Sequence, residues 1–575
     1  MAMASPFTVA AYLATRLREI GVGHVFTIPG DYCAPFLDAL DATPGIERVP
    51  NLSELGCGYA ADGYARLKGA GAACVQYGVG TFSLLNCVAG SFVEFVPVAI
   101  ISSSPGASSR LIEVHQNVLF HHSTGDLRAD QEIFRHVTVA SVVITNAESA
   151  PGEIDWALVR MITHRRPVYI EVINSVWNVL CPEPSGKLVP IPFYSDPVSL
   201  QSAVQAAYVA VASAQRPVFF LGVELQRFGL QGVMQQLVEV TGIPFTTTSL
   251  GKTVLDENQP LFAGTYAGPA SLPFTNDLMT NSDSIVALGT IITDDYLGLM
   301  ASSFTKMILV SQDETRVGLK YFPTVAIGDF LEAFLKAIQQ RPLPHKPTLP
   351  EVRLVKPLSR RLPDAGLTYE LFYESLGAFL LKGALRESCV LVLGESTSLY
   401  VFGNLCGLPS DSFVAQAAWG SLGHETGCAL GVGLGSGKRP LVVAGDGGFM
   451  TICQEVSSLV RARSNAVIFV MSNRGYAIEQ AFVNLKGFEA GGMFAPYDVL
   501  PAWDYLALAQ GFGARGVRLS TATELMDFLE QLSLPTAGPT IVEVIIPERD
   551  LAPQLKRLAE SPGTLRRYRR LESPI

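Results

Sequence analysis

Short apolar runs rich in β-branched residues recur along this chain, each followed by a stretch long enough for a helix, and that alternation constrains the fold more than any other feature. HVFTIPGD, AACVQYGVG, VPVAIISSSP and RPVYIEVI make a first set. RPVFFLG, IPFTTTSLGK, DSIVALGT and KMILVSQDE make a second, and CVLVLGES, RPLVVAGDGGFM, NAVIFVMSNRGY and PTIVEVIIP a third. Strands that are apolar throughout are buried on both faces, which implies parallel sheets covered by helices. Two proline-rich segments, 181–197 and 341–364, separate the sets, with prolines too frequent for a helix or central strand. The expected organisation is α/β: a first domain over 1–182, a central domain over 198–340, a linker over 341–365 and a third domain over 366–575. A helix is expected from Thr8 to Ile20 and another from Thr451 to Arg461.

Composition fits that organisation. The 575 residues exceed one core, and 48% hydrophobic against 16% charged residues favours covered sheets and large subunit contacts. No apolar run reaches the length of a membrane span, and the start MAMASPFTVA lacks the basic and apolar regions of a secretion signal. Nine scattered cysteines without a CxxC pair suit a reducing cytoplasm rather than a disulfide framework or zinc site. A formal charge of −10 argues against nucleic-acid binding. The cationic cluster of Lys556, Arg557, Arg566, Arg567, Arg569 and Arg570 reads as a solvated helix face or a subunit contact.

The chemistry concentrates in Gly445-Asp446-Gly447, followed after the 24 residues 448–471 by Ser472-Asn473-Arg474-Gly475-Tyr476. An apolar strand running into a glycine turn places Asp446 at a strand's carboxyl end, where helix N–H groups can hold an anion. A second strand delivers Asn473 to the same edge. A carboxylate, an amide oxygen and a main-chain carbonyl suit a hard cation bridging a diphosphate. GVGLGSGKRP fails as a P-loop, since Val432 and Arg439 stand where glycine and a hydroxyl residue are needed, so its glycines serve packing.

With these residues the chain resembles the thiamine diphosphate enzymes, and over nearly its whole length it is similar to the pyruvate/indolepyruvate/phenylpyruvate decarboxylase family. TIPGDYCAPFLDAL, NLSELGCGYAADGYAR, LFHHSTGD, WGSLGHETG and GYAIEQ occur in the family's order. Ser472 stands where an Asn is usual, Cys33 replaces another, and the segment after the His pair diverges.

The resemblance implies thiamine diphosphate and Mg²⁺ as cofactors, with Asp446, Asn473 and the Gly475 carbonyl on the metal and Gly445 and Gly447 at the diphosphate. It implies that Glu54 holds the aminopyrimidine N1′ protonated, that Gly420 offers its carbonyl to the 4′-amino group, and that Leu422 props the cofactor in its bent form. Asp31, His121, His122 and Glu479 become the acid–base candidates. Tyr400, Ile478 and Phe482 fall where the family sets pocket size. Plain alternatives exist for each. Glu54 could cap a helix, although its apolar neighbours suggest burial with a partner. The His pair could be capped loop residues, Leu422 could be core, and Glu479 could answer the helix dipole. His24, His115, His136 and His424 are expected to be structural. The implied activity is a lyase reaction, non-oxidative decarboxylation of a 2-oxo acid to an aldehyde. The site would lie between the first domain of one subunit and the third of another, in a homodimer or homotetramer. A carboligase of the acetolactate synthase or benzaldehyde lyase type, and a non-enzymatic binding protein, remain open alternatives.

Overall fold

The computed structural model describes residues 7–344, 366–532, 534 and 536–561. Most of the 341–365 linker, and Arg566, Arg567, Arg569 and Arg570 of the cationic tail, lie outside the described residues. Three sheets form, covered by helices and mostly parallel.

The first contains β1 (His24–Thr27), β2 (Glu47–Pro50), β3 (Gly71–Gln76), β4 (Val98–Ser104), β5 (Ala140–Ile144) and β6 (Val168–Ile173), in the order β2-β1-β3-β4-β6-β5 with every pair parallel. The second contains β7 (Pro217–Leu221), β8 (Phe245–Thr247), β9 (Phe262–Thr265), β10 (Ser284–Leu288), β11 (Met307–Val310), β12 (Thr315–Val317) and β13 (Lys320–Tyr321). Its last two strands turn antiparallel at one edge. The third contains β14 (Cys389–Leu393), β15 (Phe413–Ala415), β16 (Arg439–Gly445), β17 (Val467–Ser472), β18 (Arg515–Leu519) and β19 (Thr540–Ile545), in the order β15-β14-β16-β17-β19-β18. The first and third sheets thus share one topology. In both, the chain reverses direction of travel beside the first strand, which opens a crevice at the strands' carboxyl ends.

These two sheets are locked together by a helix pair. Glu54–Lys68 follows β2, and His424–Ser436 follows the equivalent β15. A Cβ at Gly431 would collide with the Ala60 carbonyl, and one at Gly63 would come within 2.6 Å of the Cys428 carbonyl. Glycine therefore sets how closely these helices pack, which is the work of Gly431 and Gly435 in GVGLGSGKRP, while Gly437 caps the helix in the left-handed conformation. Arg557 ties the third sheet's domain to the central one by donating to the carbonyls of Pro269, Ala270 and Ser271.

The first helix runs Val9–Glu19, with Thr8 as its N-cap accepting from the Ala11 N–H. The stretch expected as one helix over Thr451–Arg461 differs. A five-residue helix starts at Asp446 itself, turns follow, and the next helix is Glu455–Arg461. Gly423 packs against this break, where a Cβ would strike the Thr451 hydroxyl.

Candidate active site

The crevice of the third sheet opens into a cavity of about 770 Å³, walled by the third sheet's domain and the central one. Glu395 leaves the end of β14, Gly420 follows β15, Asp446 follows β16 and Asn473 follows β17, so adjacent strands deliver all four to one edge. Asp446 is only 2% exposed. Its carboxylate accepts from the Gly447 N–H at 3.0 Å and from the Arg474 N–H at 2.6 Å. Burial still pushes it up to about 6 against those donors. Tyr476 lies over Gly447 so tightly that any Cβ there would strike its ring. Asn473, also 2% exposed, accepts at Oδ1 from the Gly475 N–H at 3.3 Å and leaves Nδ2 unpartnered. The Gly475 carbonyl accepts from the Ala477 N–H, and Gly475 lines the same cavity.

Farther along the wall stand Leu422, Tyr400, Ile478, Glu479 and Phe482. Tyr400, Ile478 and Phe482 form one apolar cluster with Ala267, Ala270 and Leu558. Glu479 is exposed into the cavity from the first turn of the helix Ala477–Val483. Ser396 and Ser398, whose hydroxyls sit 2.6 Å apart, also face it.

The candidates of the first domain gather elsewhere, at the carboxyl edge of the first sheet. Asp31 follows β1 and accepts from Gln76 Nε2 at 2.7 Å. Tyr77 donates its hydroxyl to the His121 carbonyl at 2.5 Å, and its ring meets that of His122 edge-on. Asp31, His121 and His122 are exposed. Glu54 is the first residue of its helix and half-buried, and its carboxylate makes no hydrogen bond among the described residues. None of these four lines the cavity of Asp446 within one chain. Burial of Glu54 with a partner, expected from its apolar neighbours, is therefore incomplete in a single chain.

Several residues that motif reading passed over hold the two sets in place. Glu455, 2% exposed, accepts from the Ser53 N–H and hydroxyl and from Asn51 Nδ2, fixing the start of the Glu54 helix from the third domain. Glu94 accepts from the main-chain N–H groups of Ala418 and Trp419 at 2.7 and 3.0 Å, pinning the loop that carries Gly420 and Leu422. Arg66 bridges Glu94 and Asp62, and Asp62 also bonds His424 Nε2 at 2.7 Å. Burial alone would raise Asp62, yet Arg66 and His424 outweigh it and hold the carboxyl well below the usual range. His424 is thus a buried structural partner. Truncating Glu94 to Ala strands the loop N–H groups and half of the Arg66 charge, and should cost roughly 3–5 kcal/mol. Denaturant unfolding measures this, and a loss below about 1 kcal/mol would show the network to be dispensable.

Glu395 and Glu425 are the other omissions. Glu395 is pushed up to about 8 by burial, then by Asp295, Glu94, Glu479 and Glu425. Glu425, 1% exposed, is pushed up to about 7 by burial and leaves Oε2 unpartnered. A glutamate ending an apolar strand is the same signal that marked Asp446, and it was available at Glu395.

Known proteins match this arrangement along the chain. Three family models align in order: the thiamine pyrophosphate enzyme N-terminal TPP binding domain over residues 7–126, the central domain over 204–338, and the C-terminal TPP binding domain over 401–544. A probable pyruvate decarboxylase of Schizosaccharomyces pombe is 30% identical over 569 residues, 96% of this chain and 95% of that protein. An alpha-keto-acid decarboxylase of Mycobacterium leprae is 31% identical over 99% of this chain and 98% of its own length. Pyruvate decarboxylase isozyme 2 of Saccharomyces cerevisiae is 28% identical, covering 97% and 98%. With three domains matched in order and relatives aligned from end to end, the chain belongs to the thiamine pyrophosphate enzymes, in the branch of the 2-oxo acid decarboxylases.

Proposed function

We propose that this protein decarboxylates a 2-oxo acid to an aldehyde and CO₂, without oxidation, using thiamine diphosphate and Mg²⁺. The observation that carries the reading is the buried Asp446–Asn473 pair in a cavity that Glu479 also lines.

The residues fit those groups. Asp446 is a buried carboxylate, and Asn473 Nδ2 is a buried donor that no acceptor meets among the described residues. Among the described residues no cluster of three His, Cys, Asp or Glu could hold a metal alone. One carboxylate with amide and carbonyl oxygens suits Mg²⁺, which takes its remaining ligands from phosphate and water. Asp446, the Asn473 amide oxygen and the Gly475 carbonyl would hold the metal, with Gly445 and Gly447 at the diphosphate.

Bound thiamine diphosphate supplies the nucleophilic carbon and the electron sink for loss of CO₂. The chain's own residues do the rest. Glu54 would hold a proton at N1′ of the aminopyrimidine, the Gly420 carbonyl would accept from the 4′-amino group, and Leu422 would pack against the cofactor. Asp31, His121, His122 and Glu479 hold and deliver the proton that the product requires. Tyr400, Ile478 and Phe482 bound the substrate's side chain.

A complete site needs a second copy, so the functional unit is a homodimer or a tetramer of such dimers. Exposed apolar side chains rim the candidates in both domains: Leu52 beside Glu54, Val79 beside Tyr77, Leu119 (66% exposed) beside His121, and Trp419 and Leu422 beside Gly420. Apolar surface of that kind supports burial against another subunit. The units are taken as 1–182, 198–340 and 366–575. No helix among the described residues is long and apolar enough to cross a membrane. All nine cysteines are free, which supports a cytoplasmic setting.

The direct test is stoichiometry. CO₂ and free aldehyde should form in equal amounts, whereas a carboligase of the acetolactate synthase type would release CO₂ in excess of free aldehyde and one of the benzaldehyde lyase type would release no CO₂. Glu479→Gln should lower turnover about tenfold or more if the carboxyl delivers a proton. A mere complement to the helix dipole would instead lose about 0.3–1 kcal/mol of stability with turnover intact. Turnover and thermal midpoint measured on one sample separate the two.

A further inference from the structure

The three acid–base candidates of the first domain are held by three consecutive residues where β3 ends. Gln76 donates from Nε2 to Asp31 at 2.7 Å, and Tyr77 donates its hydroxyl to the His121 carbonyl at 2.5 Å. The His122 carbonyl lies against Gly78, where any Cβ would strike it. Gln76 and Tyr77 are buried, while Asp31, His121 and His122 are exposed. The turn after Tyr77 is itself fixed, because Asp130 accepts from the Gly78 N–H at 2.9 Å and from the Thr81 hydroxyl at 2.5 Å.

The His pair itself sits in a strained turn. The Ser123 N–H donates to the Phe120 carbonyl at 3.2 Å, so residues 120–123 close a turn with His121 and His122 at its centre. His122 has φ +73°, and the second central position of a turn takes positive φ readily only as glycine or asparagine. The commonest turn has negative φ there, and the two forms differ by rotation of the peptide unit between the central residues. That unit carries the His121 carbonyl, the group that the Tyr77 hydroxyl holds. A left-handed histidine persists only where its surroundings fix it. The Tyr77 ring adds a second hold, meeting His122 edge-on at 6.0 Å between centroids and Tyr32, the neighbour of Asp31, at 5.8 Å. Burial raises the Tyr77 hydroxyl above its usual range, so it stays a donor at neutral pH.

Resting on the decarboxylase reading, we propose that Tyr77 is a positioning residue for the reaction, its hydroxyl fixing the His121–His122 peptide unit in the orientation that sets where both imidazoles point. Without that bond the unit rotates toward the commoner turn, and His122 leaves the place from which it delivers a proton. Proton transfer needs donor and acceptor within hydrogen-bond reach, so a small rotation there costs rate rather than substrate binding.

Tyr77→Phe removes one oxygen and keeps the ring contacts. The cofactor-loaded variant is assayed with pyruvate, phenylpyruvate or indolepyruvate, whichever turns over fastest. Its kcat should fall about tenfold, while KM and the calorimetric affinity for thiamine diphosphate stay at the wild-type values. The same change in a His121→Ala, His122→Ala protein should cost nothing further, because no imidazole is left to place. A merely structural Tyr77 would cost the same factor in both backgrounds. Hydrogen exchange read by mass spectrometry on the protein without cofactor is independent of turnover. The amides of residues 120–125 should exchange about fivefold faster in Tyr77→Phe, with β3 and β4 unchanged. Undiminished kcat, a fall in cofactor affinity, an equal loss in both backgrounds, or wild-type exchange over residues 120–125 overturns the assignment and leaves the decarboxylase reading standing. Release of no CO₂ from any of the three acids by the wild type overturns both.

Discussion

Asp446→Ala should abolish turnover and weaken thiamine diphosphate binding by at least an order of magnitude at saturating Mg²⁺, a scale reached even when indirect metal support is lost. The reasoning starts from burial. Asp446 is 2% exposed and its carboxyl is pushed up to about 6 by desolvation, so the protein without cofactor carries a charge it solvates badly. A divalent cation reverses that cost, and no other carboxylate near Asn473 and Gly475 takes part in the proposed metal site. The substitution should therefore have opposite effects on two measurements. Without cofactor the variant should resist denaturant as well as the wild type or better, because a poorly solvated carboxylate is gone. With cofactor and Mg²⁺ present, the stabilisation that binding confers on the wild type should be missing. Calorimetry giving wild-type affinity for the variant would place the diphosphate elsewhere.

Much of this architecture is legible in the residues because the inner strands are apolar on both faces. β3, β4, β6, β7, β10, β14, β16, β17 and β19 all stand out as continuous hydrophobic runs, and each is paired on both sides. The strands that escape reading lie at or near sheet edges. β2 (ERVP) has no buried residue, β18 (RGVRL) is largely exposed, β13 is two residues long, and β15 is three. A strand paired on one side needs neither length nor continuous hydrophobicity, so it leaves little pattern. The candidate site divides in the same way. Asp446 and Asn473 are legible because a motif and a strand end coincide there. Glu94, Asp62, Arg66 and Glu455 are not, because each acts through a partner hundreds of residues away, or on another domain, and sequence spacing carries no trace of that contact. Glu395 had a legible signal, a charged residue closing an apolar strand. It lacked a motif to draw attention to it.

The division of the site between two sheet edges leads to the sharpest test of subunit sharing. Within one chain Glu54 does not line the cavity of Asp446, yet both are needed if Glu54 holds the N1′ proton and Asp446 the metal. Glu54→Gln keeps the side chain's shape but cannot hold that proton, so the variant alone should lose a factor on the order of 10² to 10⁴ in activity. Asp446→Ala alone should be inactive. Coexpression of the two should nevertheless restore function. In a mixed dimer one site combines both lesions, while the other pairs the intact first domain of the Asp446→Ala chain with the intact third domain of the Glu54→Gln chain. Random association makes half of the dimers mixed, each with one whole site, so the mixture should recover about a quarter of wild-type activity. If instead each chain built its own site, every site in the mixture would carry one lesion, and activity would stay at the level of the two variants. Purifying the mixed dimer with two different affinity tags sharpens the comparison to half of wild type against nearly nothing. A mixed dimer without activity would return Glu54 to the role its position also permits, the opening residue of a helix whose start is pinned by Glu455 of the same chain.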